Sequence, residues 1–350
     1  MCIRDRPQRS VRTVPALAAV LALGLTGCMA GEGSGEPPAE AAGDGTVRVD
    51  WATYNPLSVV IKEKGWLETA FAEEGIEVEW VQSAGSNKAN EALRAEAVDI
   101  GSTAGSAALL ARSNGTPIRV IDLYSQPEWS ALVTTAGSEV QEVADLEGRT
   151  VAATKGTDPY FFLLQALDEA GVDAGDVTIQ NLQHADGRAA LENGQVDAWS
   201  GLDPIMAAAE ENGAELFYRN VDFNTYGFLN AHESFLEEQP EAAQTVVDVY
   251  AYARQWAQEN TEETAQLLAE AAGIELSVAE KVLERTNLDI DHVPGDEQLA
   301  VLEKVGPIFV ESDDVAGQEQ IDEALGSIVE SSYAENADAS RAAELVGAGQ

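Results

Sequence analysis

Polar and apolar positions alternate in blocks from residue 46 onward. Val47-Arg48-Val49-Asp50-Trp51 has the two-residue period of a strand, 57–74 has the three-to-four-residue period of a helix, and Val78-Glu79-Trp80-Val81 is again a strand. A helix over 88–97, a short strand Asp99-Ile100-Gly101, a small-residue helix over 105–114 and a strand Ile118-Arg119-Val120-Ile121 follow. Such alternation predicts a mostly parallel sheet flanked by helices. A β-rich segment at 130–135 leads into Ala136-Gly137-Ser138, and a second unit begins. Its strands fall at 150–153, 177–182 and 197–199, and its helices at 160–170, 187–193 and 205–212. The pattern returns to strand at Asn224-Thr225-Tyr226-Gly227-Phe228-Leu229 and then becomes helical at 240–258, 261–272, 277–286, 296–305 and 318–332.

These blocks predict an α/β protein of two lobes joined by two crossings, near 134–138 and 222–226. Lobe 1 takes 46–135 plus 228–335, with the helical tail completing it; lobe 2 takes 136–227, and 336–350 is expected as a flexible tail. Ligands of open α/β sheets sit beyond the carboxyl ends of strands, a region that two facing lobes place in a cleft.

The first 27 residues carry Arg4, Arg6, Arg9 and Arg12 against Asp5, followed by an apolar run over 14–25. A spanning helix needs about 20 apolar residues, and this run is shorter, so it reads as a secretory signal peptide. Its end, Leu25-Thr26-Gly27-Cys28, resembles a bacterial lipobox, which implies cleavage before Cys28, lipidation of its thiol and an anchor at the outer face of the cytoplasmic membrane. Residues 28–45, rich in Gly, Ser, Glu, Pro and Ala, read as a disordered tether. Cys2 leaves with the signal, so the mature domain has no disulfide and no cysteine metal site.

Charge removes further classes. Lys and Arg number 20 against 61 Asp and Glu, a net −41 with only six lysines, so nucleic acid is not a partner. His184, His232 and His292 are scattered, and no zinc, nucleophile-elbow or phosphate-loop motif occurs; Gly85-Ser86-Asn87-Lys88 lacks the spacing of a phosphate loop. Hydrolytic or zinc chemistry therefore has no visible vehicle, and no metal, cofactor or catalytic residue is expected.

The positive candidates are helix starts after strands. Asn55-Pro56, Asp158-Pro159 and Asp203-Pro204 each set a capping side chain before a proline, and Ser102-Thr103-Ala104-Gly105-Ser106 is a hydroxyl-rich start. Helix N-termini carry unpaired N–H groups and roughly half a positive charge, so several at one cleft bind an oxyanion without Lys or Arg. Gly156 and Thr157 precede one such start. Trp51, Tyr54, Trp129, Tyr160, Trp199 and Tyr226 fall at strand ends or beside a crossing, where they line a cleft or pack a core. Two side chains stay open: Asp203 caps its own helix or accepts from a ligand amine, and Arg188 pairs with an anion or bridges Asp186 or Glu192.

Taken in order, Tyr54-Asn55-Pro56-Leu57, Lys62-Glu63-Lys64-Gly65-Trp66-Leu67, the Gly101 to Ser106 run, Pro127-Glu128-Trp129, Lys155-Gly156-Thr157-Asp158-Pro159-Tyr160, Asp197-Ala198-Trp199 through Asp203-Pro204, and Asn224-Thr225-Tyr226-Gly227-Phe228-Leu229-Asn230 resemble the aliphatic-sulfonate-binding proteins of bacterial ABC importers. The resemblance runs from about residue 47 to about 330. It implies a periplasmic-binding-protein fold of the two-crossover type (type II), an alkanesulfonate or taurine ligand taken by hinge closure, and delivery to a permease with its ATPase by a monomeric receptor. Relatives in the wider group bind nitrate or a thiamine pyrimidine precursor, and thiamine-pyrimidine synthases share the fold but carry a cysteine cluster that this chain lacks. The resemblance places Asn55, Ser102 to Ser106, Thr157 and Asp158 at the cleft, with Trp199 and Asp203 opposite.

Overall fold

The computed structural model describes residues 45–347. The expected signal peptide, Cys28 and the tether up to residue 44 lie outside them. Lobe 1 starts with β1 (Thr46–Trp51), α1 (Pro56–Lys64), α2 (Trp66–Ala70), β2 (Glu77–Gln82), α3 (Ser86–Arg94), β3 (Ile100–Ala104), α4 (Gly105–Ser113) and β4 (Ile118–Pro127). Lobe 2 holds β5 (Ser130–Thr135), β6 (Thr150–Ala153), α5 (Asp158–Ala170), β7 (Thr178–Asn181), α6 (His184–Glu192), β8 (Ala198–Leu202), α7 (Ile205–Glu211) and β9 (Ala214–Tyr218). The chain returns through β10 (Gly227–His232), α8 (Glu233–Glu238), α9 (Pro240–Glu259), α10 (Thr261–Ala272), α11 (Leu276–Glu284), β11 (Thr286–Asn287), α12 (Asp296–Glu311), α13 (Gln318–Leu325), α14 (Ser332–Glu335) and α15 (Ala339–Leu345).

Both sheets follow one plan. The first runs β11-β4-β10-β3-β1-β2 and the second β7-β6-β8-β5-β9. Parallel pairs β1/β2, β1/β3, β6/β7 and β6/β8 are connected through helices, as parallel strands require. In each sheet the strand arriving from the other lobe runs antiparallel to its neighbours: β10 against β3 and β4, β5 against β8 and β9. A strand entering from the facing lobe starts at the cleft end, whereas the strands it joins finish there.

That geometry corrects the first crossing. Residues 130–135 pair with β8 and β9, so β5 belongs to lobe 2, and the crossing is Glu128-Trp129 rather than 134–138. The chain returns to the first sheet through Asn224 to Tyr226, just before β10.

The tail also differs from expectation, because it packs on both lobes. α9 covers β1 and α1 through Val246, Val247, Tyr250 and Ala253. α12 instead joins a core shared by β4, α4 and the lobe-2 helix α5; Phe309 meets Phe161 with ring centroids 4.4 Å apart. α10 and α11 pack with Val59 of α1 and Ala207 of α7. Amphipathic helices bury their apolar stripes on whatever apolar face is nearest, and here the seam between lobes supplies one. Nor are residues 336–347 of the expected tail loose: Ala342 of α15 is fully buried, and Arg341 Nη2 donates to Asp248 Oδ1 at 2.6 Å. Among the described residues no helix is long and apolar enough to cross a membrane.

Candidate functional site

Six helices follow the parallel strands among the described residues, three in each lobe: α1, α3 and α4, then α5, α6 and α7. Their first N–H groups need partners. Three of the six starts are already served. Asn55 Oδ1 accepts from Ser58 N at 3.3 Å on α1, and Asp203 Oδ1 accepts from Ala207 N at 2.9 Å on α7. On α4, Ser106 N donates to Thr225 Oγ1 at 3.1 Å.

Asp158 fills the space beside that third start from across the lobe boundary. Its Oδ1 accepts from the Ser106 hydroxyl at 2.6 Å and the Thr225 hydroxyl at 2.7 Å; its Oδ2 accepts from Trp129 Nε1 and Thr225 N, both at 2.8 Å. Burial raises the Asp158 pKa, and these four donors act against that rise. Asp158 is the first residue of α5, not its cap; the cap position is Thr157. Its carboxylate is therefore a structural bridge occupied by protein donors.

The other three starts, on α3, α5 and α6, have no side-chain cap. They converge. A Cβ on Gly85, which precedes α3, would lie 2.9 Å from His184 Nε2 on α6, and one on Gly156, just before α5, would lie 3.6 Å from Asn87 Cβ. Gly85 (φ +149°) and Gly156 (φ +77°) hold backbone conformations that favour glycine, so the chain can turn tightly where the lobes meet. Buried polar atoms without partners surround this junction: Asn87 Oδ1, Gln183 Oε1, His184 Nε2 and Trp199 Nε1. Buried polar groups are normally paired, and these four lie around three uncapped helix ends without a partner.

Expected site residues divide accordingly. Gly156 and Thr157 lie at the junction; Thr157 Oγ1 donates to Thr154 O at 2.6 Å, which fixes that turn. Trp199 packs under it, its indole against Gly187 of α6. Tyr160 lies in the first turn of α5 with the Lys155 ammonium 5.3 Å over its ring.

The remaining lobe-1 residues form a buried layer of mutual bonds. Tyr54 donates to Ser102 O at 2.9 Å, and Ser102 gives both N–H and hydroxyl to Asp50 Oδ1 at 2.8 and 2.9 Å. Burial lifts Asp50 to about 7, against the hydrogen bonds of Ser83 and Ser102. Thr103 Oγ1 donates to Ala104 O and accepts from Asn230 Nδ2, both at 2.9 Å. Gly105 is small because Phe228 would touch a Cβ there at 3.0 Å.

Arg188 and Tyr226 are placed elsewhere. Arg188 Nε bonds Glu192 at 2.7 Å one turn along its own helix, and the Tyr226 hydroxyl bonds Glu297 of α12 at 2.6 Å. Asp203, one residue before the cap position Pro204, accepts from Ala207 N of α7 and faces Arg285 at 3.4 Å. Burial lifts Asp203 to about 7 even beside that cation. A nearby cavity of about 590 Å³ is lined by Glu128, Arg219, Lys281 and Arg285. Its cations are already engaged by Glu128, Glu211 and Glu210. Among the described residues no three His, Cys, Asp or Glu side chains gather as metal ligands.

Reading the sequence missed Gly85, Ser86, Asn87, Gln183 and His184. Their signal was positional: each group follows an expected strand, at 78–81 and at 177–182, where the next helix must start.

Relatives agree with this architecture. A protein named for aliphatic-sulfonate binding from Bacillus subtilis (strain 168) is 33% identical over 238 residues, 67% of this chain and 71% of its own length. One with the same name from Escherichia coli (strain K12) is 29% identical over 229 residues, 65% of this chain and 71% of its own. Among solved structures, the alkanesulfonate-binding protein SsuA from Xanthomonas axonopodis pv. citri, bound to MOPS, superposes with a TM-score of 0.72 at 23% identity, covering 83% of this chain and 99% of that one. The likeness shows the periplasmic-binding-protein fold. The sequence matches the NMT1/THI5-like family over residues 57–264, well over half its length, and the chain belongs to that family.

Proposed function

We propose that this chain is an extracytoplasmic receptor that captures an organosulfonate between its lobes and hands it to an ABC importer. The observation that carries this reading is the meeting of three uncapped helix starts, one from lobe 1 and two from lobe 2, at Gly85, Gly156 and His184. A sulfonate stays ionised at every physiological pH and offers three acceptor oxygens, which suits N–H donors and positive helix ends. Exclusion of water strengthens each bond. Ligand contacts to both lobes favour the closed state, with bending at the crossings Glu128-Trp129 and Asn224 to Tyr226. The names of the curated relatives support the ligand class.

The chain acts by binding alone, without a chemical step, as a monomer held to the membrane by lipid on Cys28. Thermal shift of the purified protein, stripped of ligand by unfolding and refolding, tests the ligand class against ethanesulfonate, taurine, sulfate, nitrate and hydroxymethylpyrimidine. Alkanesulfonates or taurine raise the melting temperature and the others do not. A shift with nitrate or the pyrimidine alone would reassign the ligand.

A further inference from the structure

His184 is 1% exposed and opens α6 at the junction of the three helix starts. Its Nδ1 lies 3.2 Å from Thr154 Oγ1, and the Thr154 hydroxyl donates its hydrogen to Leu182 O at 2.7 Å. With that hydrogen engaged, the contact requires the ring to carry its own on Nδ1. In the neutral ring Nε2 then presents a lone pair, buried, without a partner and turned toward Gly85 and Asn87 of the other lobe. That lone pair meets no protein donor, and it repels an anion. A proton on Nε2 turns the repulsion into a hydrogen bond, and the anion's charge offsets the cost of a cation among positive helix ends.

We propose that His184 is a ligand contact whose Nε2 takes a proton from solvent as the anion binds and donates that N–H to an oxyanion oxygen, coupling capture to proton uptake. The inference rests on the sulfonate-receptor reading. A sulfonate does not carry a proton at these pH values, so the imidazole must.

The surrounding charges leave this role open. On α3, Lys88 is bonded to Glu91; in the β6–α5 turn, Lys155 lies over Tyr160; on α5, Asp158 is held by Ser106, Thr225 and Trp129. On α6 itself Asp186 is exposed and Arg188 is bonded to Glu192. Burial alone pushes His184 down to about 4. A bound anion supplies the missing counter-charge, while separated lobes return the ring to an ordinary value near 6.5. Free protein is therefore mostly neutral there at pH 7.5, and the complex is charged.

Calorimetric titration with ethanesulfonate at pH 7.5, in phosphate and in Tris, reads the protons exchanged. The wild type takes up most of one proton at pH 7.5 and little at pH 5, and its affinity falls several-fold per unit as pH rises above 7. In folded His184→Asn and His184→Gln proteins the uptake disappears and binding weakens about tenfold. In proton NMR, the His184 Cε1–H signal, assigned by its absence from the variants, moves to the imidazolium position when ethanesulfonate is added at pH 7.5. Tight binding without proton exchange, or uptake unchanged in the folded variants, overturns the role of His184 and leaves the receptor intact. No binding of ethanesulfonate, taurine or methanesulfonate by the wild type overturns the receptor reading and this inference with it.

Discussion

Ser106 on α4 donates a 2.6 Å hydrogen bond to Asp158 on α5, so a single buried carboxylate links the two lobes. The same group holds Trp129 from one crossing and Thr225 from the other. All four bonds are donated to it, which suits an anion and nothing else of that shape. Asp158→Asn keeps the volume but turns an NH₂ toward donors. We expect a loss of about 2–4 kcal/mol in urea unfolding. A change within 0.5 kcal/mol would mean that the bridge does not hold the lobes.

Asp50 provides a pH signature. Its folded-state pKa of about 7 lies above the ordinary carboxylate value, so the stability it contributes is complete below about pH 4 and is lost as pH rises through 7. Asp50→Asn keeps the oxygen that Ser102 needs and never ionises. The variant should gain on the wild type as pH rises, by on the order of 3 kcal/mol at pH 8. Calorimetric melting at pH 5 and pH 8 measures this; a difference independent of pH would refute it.

Arg285 joins α11 to lobe 2, with Nη2 2.7 Å from Glu210 and Nη1 3.4 Å from Asp203. Removing it leaves Asp203 buried without its cation. Arg285→Ala should lower stability by about 2–3 kcal/mol at pH 8.5, where Asp203 is ionised, and by less at pH 5.5, where Asp203 is neutral. Equal losses at both pH values would assign the effect to Glu210 alone.

Gly85→Ala tests the junction itself. The new Cβ would sit 2.8 Å from Asn87 Oδ1 and 2.9 Å from His184 Nε2, on backbone that L-residues rarely adopt. Stability should fall by about 1–2 kcal/mol, whereas ethanesulfonate affinity should drop at least tenfold. Affinity preserved in the calorimeter would move the binding site away from α3.

The sequence announced its sheets more clearly than its site. Strand and helix periods located both lobes because burial imposes them on every residue of an element. The crossing at Glu128-Trp129 was misplaced because 130–135 reads as a strand in either lobe, and only its partners β8 and β9 decide. The site was sought where capping residues are strongest. That favoured Asn55, Asp158 and Asp203, the side chains whose acceptors the protein itself uses. Open helix ends carry no capping residue, so Gly85-Ser86 and Gln183-His184 left only a weak trace. His184 in particular could be told from an ordinary buried histidine only once Thr154 fixed its tautomer.

The strand order also sets an order of assembly. Lobe 2 draws its whole sheet from one stretch, β5 to β9, whereas β10 must slot between β3 and β4, which precede it by a hundred residues. Closing the longer loop loses more chain entropy, so the second lobe should become protected first and the first lobe finish around it. Pulsed hydrogen exchange during refolding would show β6 and β8 slow to exchange before β10. A chain halted before residue 227 would thus hold a completed second sheet, still missing its α12 cover, beside an incomplete first one.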